Sequence, residues 1–517
     1  MIAMFSQSIT GHLIVRIWEF FKEKLYGSLF FSLLCAFSDW VSEKVRGSLI
    51  YDWLGRGVFT ERFYAPSRFY KIIGFIFDKF ITLLRKIADL FLRITNGSLT
   101  GAAVKWLWRV FKVDVMFAVF VGLMFVAPHE RWNNLFLFFG AVIFGVWTLL
   151  AIALGEVKKS RGFTVSLSLL VFMLAVLIGF SMATSLSDAL RILLFIFSSI
   201  TFAMVIAVSV DTKEKLTRFM SVVLAFVALT ALYGVAQRFM GVEIDEEFVD
   251  LTANEGMPGR VFSTFANPNN FAELLILFMP FFVPLFIFSK KLWQKMLCAG
   301  GFGLSLAALL MTYSRSCWVG FALAAVLFVA LYDKRLLIPC AVLAAAAVPF
   351  LPSSIMNRIF TIGSMNDSSN SYRLYIWDSC LRMIRDYFVT GVGLGPGSFH
   401  AVYPGYASSI AVTAPHSHML YLEIWLETGI LGFLSFFGFM FATVKKTAGT
   451  MRRMDKELRT YAIAGLSSLL GIAFVCCAEY IWFYPRVMAA FWIVPAILIA
   501  TVNVTAKSGG NMNEVEA

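Results

Sequence analysis

A chain of 517 residues that is 59% hydrophobic and only 15% charged, with mean hydropathy +0.77, carries too little charge to be a soluble domain of that length. The net charge of +12 does not point to nucleic acid, because the cations stand in short clusters between apolar runs, where membrane topology and anionic lipid account for them; no nucleic-acid partner is expected. The seven cysteines (35, 298, 317, 340, 380, 476, 477) show neither zinc-site spacing nor a disulfide framework and read as packing residues.

In chain order, residues 1–112 come first as a basic region with 16 Lys and Arg against 8 Asp and Glu. Arg16, Glu19, Lys22, Glu23 and Lys24 interrupt any short apolar core, so no cleaved leader is expected. The segment 69–86 places apolar residues at helical spacing with basic residues opposite. Two readings fit: helices lying on the membrane surface, or a helical subdomain packed on the rest of the chain.

Apolar runs long enough to cross a hydrocarbon core of about 30 Å recur from residue 113 to residue 504. They predict twelve spans at roughly 113–127, 135–154, 163–186, 190–210, 219–240, 271–288, 296–313, 317–332, 336–352, 419–441, 461–478 and 487–504. Long all-apolar runs are not the alternating strands of a barrel, so the fold class is all-α integral membrane, with one large loop at 353–418 and a C-terminal tail at 505–517.

Orientation follows from the excess of Lys and Arg expected in cytoplasmic loops. With both termini inside, the five cytoplasmic loops hold Lys158, Lys159, Arg161; Lys213, Lys215, Arg218; Lys290, Lys291, Lys295; Lys334, Arg335; and Lys445, Lys446, Arg452, Arg453, Lys456, Arg459. The external connections then hold no lysine, only Arg131, Arg191, Arg260, Arg315, Arg358, Arg373, Arg382, Arg385 and Arg486. Arginine grips phosphate oxygens with a planar two-pronged fork that lysine lacks.

Three external stretches carry polar residues beyond what a connection needs. Gly259-Arg260 leads into Asn267-Pro268-Asn269-Asn270 at the head of the sixth span, where the Asn-Pro-Asn turn supplies a helix start and side-chain caps. Thr312-Tyr313-Ser314-Arg315-Ser316 is a tight turn that fixes an arginine at the outer boundary, as a headgroup anchor or as part of an anion site. The third stretch begins at Ser371-Tyr-Arg373 and runs through Gly391-Val-Gly-Leu-Gly-Pro-Gly. It ends at His416-Ser-His418-Met-Leu-Tyr421-Leu-Glu423 and Glu427-Thr-Gly429. Its glycines have no Gly-Lys-Ser/Thr, which excludes a nucleotide loop. His416 and His418 lack a clear third ligand, and the acidic cluster Glu243, Asp245, Glu246, Glu247 and Asp250 reads as a solvated loop, so no metal and no cofactor are expected.

Taken together, in this order and on one side, these stretches resemble the O-antigen ligase and polymerase superfamily over about residues 113–504. Its usual His-Asn is His418-Met419 here, which keeps His416 and His418 both in view. The resemblance implies a GT-C-like membrane glycosyltransferase of the bacterial cytoplasmic membrane. Such an enzyme moves a glycan from an undecaprenyl-diphosphate carrier to the hydroxyl of a glycan or lipid acceptor on the external face. Arg260 and Arg315 would neutralise the diphosphate leaving group, and His418, with an ordinary pKa near 6.5, would take the hydroxyl proton. Arg373, His416, Glu423, Glu427, Asn267 and Asn269 would support them. A polymerase of lipid-linked repeat units differs only in its acceptor. A flippase would instead place ionisable residues near the bilayer midplane.

Overall fold

The computed structural model describes residue 64 and residues 66–157, 166–241, 259–362 and 368–508. Lys158, Lys159, Arg161, the acidic cluster of residues 243–250 and most of the basic region 1–112 therefore lie outside the described residues.

Among the described residues every regular element is a helix. The first half of the chain contributes α1 (Arg68–Ile94), α2 (Leu99–Val110), α3 (Val113–Val126), α4 (Leu135–Ala153), α5 (Leu167–Ser181), α6 (Leu186–Ser209), α7 (Lys213–Met240), α8 (Pro268–Phe278) and α9 (Phe282–Phe288). The second half contributes α10 (Leu292–Met311), α11 (Arg315–Asp333), α12 (Leu337–Ala347), α13 (Ser353–Phe360), α14 (Ser368–Asp386), α15 (Pro396–Val402), α16 (Leu420–Thr450), α17 (Lys456–Val475) and α18 (Pro485–Ser508).

Nine of the described helical stretches are long and apolar enough to cross a membrane, and α3 and α5 are shorter apolar helices. Each of the twelve predicted spans has a helix; the eighth and ninth are joined in one candidate, Arg315–Phe350. The backbone leaves helical geometry inside it at Asp333 (φ −156°, ψ 103°), whose side chain accepts from the Arg335 amide, so a break separates α11 from α12. The described residues of Val329–Pro349 group apart from those of Gly57–Phe328 and Phe350–Ala517.

Within the larger unit α18 is central, with 89% of its spanning window buried, and it packs on α6, α16 and α17. The aromatic rings of Phe172, Phe436, Trp482, Phe491 and Trp492 interlock where α5, α16 and α18 meet. Several buried hydroxyls on the spans bond back to carbonyls four residues earlier, as Thr148, Ser199, Ser305 and Thr443 do, which satisfies those donors within their own helix.

The helix ends sort into two sets. At one end Lys213 pairs with Asp455 (3.0 Å), Lys507 with Asp211 (3.3 Å), and Arg218 with Asp114 (2.5 Å). At the other end Arg486, in the first turn of α18, donates to the carbonyls of Ala127 (2.8 Å) and Thr264 (2.8 Å). Lys507 and Arg486 stand at opposite ends of one helix, about 30 Å apart at 1.5 Å per residue. The lysine-rich ends and the ends that carry the three polar stretches are thus opposite.

The long loop has a core of its own, built from Ile376, Cys380 and Met383 of α14, Phe399 of α15, Tyr403, Ala411 and Leu426. It is pinned to α16 at a kink. Gly429 has φ 65° and ψ −173°, a region open essentially to glycine alone. The kink releases the Leu426 carbonyl and the Ile430 amide, which bond instead to the Val392 amide (2.6 Å) and the Phe388 carbonyl (3.1 Å) of the loop. A Cβ at Gly429 would collide with the Val389 carbonyl. Gly429→Ala is expected to cost about 1–3 kcal/mol in backbone strain before that collision is counted, seen as a fall of several degrees in Tm in detergent. Gly300→Ala, where a Cβ meets nothing within 4 Å, is the neutral control; equal Tm for both would show that the kink carries no strain.

Candidate active site

Each polar stretch is held by its own local chemistry before any stretch meets another. Asn267 caps α8 by accepting the Asn269 amide (2.8 Å), and its Nδ2 donates to the Tyr484 hydroxyl (3.3 Å). In the tight turn Tyr313 takes φ 52°, a left-handed conformation uncommon for a non-glycine residue. The turn is fixed from both sides: the Thr312 hydroxyl accepts the Ser314 amide (3.3 Å), and the Trp318 indole donates to the Leu309 carbonyl (2.9 Å).

The histidine stretch is the most constrained. His418 has φ 53°, its amide donates to His416 Nδ1 (3.0 Å), the Ser417 amide donates to Glu423 Oε2 (2.8 Å), and the Trp377 indole donates to the Ser417 carbonyl (3.0 Å). Strain of this kind persists only where the surroundings over-determine it. Glu427 does the same one turn further on, accepting the Gly395 amide (3.0 Å) and the Tyr480 hydroxyl (3.4 Å). Glu423 and Glu427 are therefore positioning residues that hold the histidine and glycine stretches against α16.

A chain of polar contacts then joins the stretches. Arg260 is buried; its Nε donates to the Thr312 carbonyl (2.7 Å) and its Nη2 to Asn269 Oδ1 (2.5 Å). Asn269 Nδ2 passes on to Glu479 Oε1 (3.1 Å), which also accepts Arg373 Nη2 (2.8 Å). His418 lies within the electrostatic reach of both Arg373 and Glu479. Arg315 Nη1 donates to the Thr361 carbonyl (2.9 Å), and Arg358 Nε to the Tyr313 carbonyl (3.3 Å), so Arg260 and Arg358 both bond to the turn that carries Arg315.

The hydrogen-bonded chain from Arg260 runs through Asn269 and Glu479 to Arg373, and His418 interacts electrostatically with the last two. Asn269, expected as a cap or as a supporting residue, links Arg260 to Glu479. Glu479 and Arg358 were missed as site residues. Arg358 is one of the few external cations, but nothing in its neighbours separates it from Arg382 or Arg385. Glu479 ends a span, where a carboxylate reads as a boundary residue.

Electrostatics refine the roles. Burial pushes Arg260 down to about 10, with Arg358 and Arg315 adding to the shift and Glu479 opposing it; it stays a cation at neutral pH. Burial pushes His418 down to about 4, helped by Arg373 and opposed by Glu479, in place of the ordinary value expected from sequence. His416 is also lowered, by burial first and then by His418, Arg373 and His400, and its ring stands 4.2 Å from that of His418 and 4.7 Å from Phe483. Both imidazoles are neutral at pH 7. His416 Nδ1 is already engaged by the His418 amide, which leaves His418 the histidine better placed to accept a proton.

Among the described residues no group of three or more His, Cys, Asp or Glu side chains is placed to hold a metal ion. The arrangement can grip an anion with planar cations at one side and accept a proton on a neutral imidazole at the other.

Residues 300–437 match the family model described as O-antigen ligase. That stretch runs from within α10, through the long loop, past the kink of α16, and so contains Arg315, Arg358, Arg373, His416, His418, Glu423 and Glu427, while Arg260, Asn269 and Glu479 lie outside it. No curated protein matches the chain.

Proposed function

Because residues 300–437 match the family model described as O-antigen ligase, we propose that this chain transfers a glycan from an undecaprenyl-diphosphate carrier to an acceptor hydroxyl at the outer face of the bacterial cytoplasmic membrane. The observation that supports it best is the polar chain Arg260–Asn269–Glu479–Arg373 with His418 beside its far end. Arg260 and Arg315 hold the diphosphate, and His418 takes the acceptor proton as the hydroxyl oxygen attacks the anomeric carbon. The bond from that carbon to the diphosphate oxygen breaks, the diphosphate leaves with the electron pair, and the anomeric centre inverts. Charge-assisted hydrogen bonds to the leaving group are worth roughly 1.5–3 kcal/mol each.

Purified protein supplied with a lipid-linked glycan and an acceptor should form the transferred product, and EDTA should leave the rate unchanged. No product, or a rate abolished by EDTA and restored by a divalent cation, overturns this mechanism; the latter would promote the acidic residues 243–250. A lengthened lipid-linked glycan as the product would identify the polymerase rather than the ligase.

The placement of the lysine-rich ends supports an orientation in which they face the cytoplasm. A cysteine at Gly405 should react with an impermeant maleimide in intact cells and one at Asp455 should not; the reverse pattern would invert the topology and the site with it.

The pH dependence follows from His418. With its pKa pushed down to about 4, the free enzyme keeps a neutral base well below pH 6.5, so the acid limb of kcat/KM should lie near pH 4. A bound diphosphate places anionic charge nearby and favours the protonated imidazole, so the limb of kcat should lie higher than that of kcat/KM. A single limb at 6.5 in both would remove His418 from its described environment. The same shift bears on stability: the folded value lies below the unfolded one, near 6.5, so the unfolded chain binds more protons between. The contribution is present above that value and lost as pH falls towards 4.

A further inference from the structure

The long amphipathic helix α1 lies outside the polar chain and outside the matched family stretch, and it carries one wide apolar arc that is packed along one side and exposed along the other. Phe77, Ile81, Leu84 and Ala88 turn inward as α1 packs on α4. A stripe, Phe69, Ile72, Ile76, Phe80, Leu83, Ile87, Leu90 and Ile94, recurs at steps of three and four residues and stays exposed, with Ile76 at 61% and Ile94 at 73%. At about 100° per residue, Arg68, Lys79, Lys86 and Arg93 form a row along one edge of that stripe. Thr82 and Asp89 stand beyond the row on the polar side.

The position of α1 relative to the membrane can be read from α4. That helix has 19 residues, about 28 Å of rise, which matches the hydrocarbon thickness; its C-terminal carbonyl therefore stands at the hydrocarbon edge. Arg85, in the second half of α1, donates its Nε to that carbonyl, on Ala153, at 2.6 Å. The Lys112–Glu156 ion pair (3.6 Å) lies near the same edge, where charged side chains belong.

We infer that α1 lies in the membrane surface at this boundary, with its exposed stripe in the acyl region of the leaflet and the Arg68–Lys79–Lys86–Arg93 row on anionic phospholipid headgroups. Buried apolar area holds the helix, and cations along its edge select anionic lipid. This takes up the first of the two sequence readings of the segment and is independent of the glycosyl-transfer proposal.

The test uses the full chain in vesicles of phosphatidylcholine with or without phosphatidylglycerol, carrying the photo-crosslinker p-benzoylphenylalanine at Ile76, Leu83 or Leu90, and at Thr82 or Asp89. Phospholipid adducts are expected at the first three positions and not at the last two, with yields at least ~5-fold higher when phosphatidylglycerol is present. The variant R68E/K79E/K86E/R93E should lose that preference and keep its adducts. Adducts from the stripe to a second copy, or to another part of the same chain, would show that protein covers it and overturn the assignment. Equal adducts on the stripe and polar positions would overturn the in-plane placement, and equal yields in both vesicles would overturn the headgroup selection.

Discussion

His418→Ala is expected to slow glycan transfer by about 10²–10⁴-fold while binding of the diphosphate carrier stays near that of the unaltered protein. A general base acts on the acceptor in the transition state, so its removal lowers the turnover of bound carrier and spares the hold on the leaving group. The structure sharpens the comparison with His416. Its Nδ1 accepts the His418 amide, so His416→Ala removes a support for the strained φ of 53° at His418 without removing the base, and should give a smaller loss of rate. Carrier binding and transfer measured on the same purified variants decide the matter: full transfer in His418→Ala would eliminate this histidine and make His416 the candidate. If the histidines only anchor a helix end, both variants should lose thermal stability together, with no separation of binding from turnover.

The second large effect is expected at the arginines. Arg260→Lys keeps the charge but loses the planar fork whose separate nitrogens, Nε and Nη2, address the Thr312 carbonyl and Asn269, so the first link of the polar chain to Glu479 loses its fixed geometry. Carrier binding should weaken by roughly 10–100-fold, the equivalent of about one charge-assisted hydrogen bond. Arg315→Lys should also impair transfer, through its bond to the Thr361 carbonyl and the loss of bidentate grip. Unchanged carrier affinity in both lysine variants would mean that neither guanidinium contacts the diphosphate.

The spans and the three polar stretches are legible in the sequence because they rest on local patterns. An apolar run of about 20 residues has one meaning in a membrane, and Asn267-Pro268-Asn269 announces a helix start. What was not legible depends on distance along the chain. Asn269 reads as a cap until Glu479, 210 residues later, accepts from it. Glu479 reads as a boundary residue until Arg373, 106 residues earlier, donates to it. The lowered pKa of His418 comes from burial, as does that of His416, against which the Tyr480 and Phe483 rings pack, and no local pattern encodes either. Gly429 sits in an ordinary Glu-x-Gly; only the loop amide at Val392 and carbonyl at Phe388 reveal that the helix must bend there.

The reach of the Glu479 side chain sets when the site can exist. As the chain is synthesised and inserted from its N-terminus, Arg260 and Asn269 are in place long before the segment after α17 emerges, and His418 precedes that segment too. Until Glu479 arrives, Asn269 and Arg373 lack the carboxylate that both address. The polar chain closes only when nearly the whole polypeptide has been made, so a prematurely terminated product retains both arginines and both histidines and yet has no assembled centre. Two separately expressed halves, divided between α16 and α17, would each be incomplete for the same reason and would have to associate to complete it.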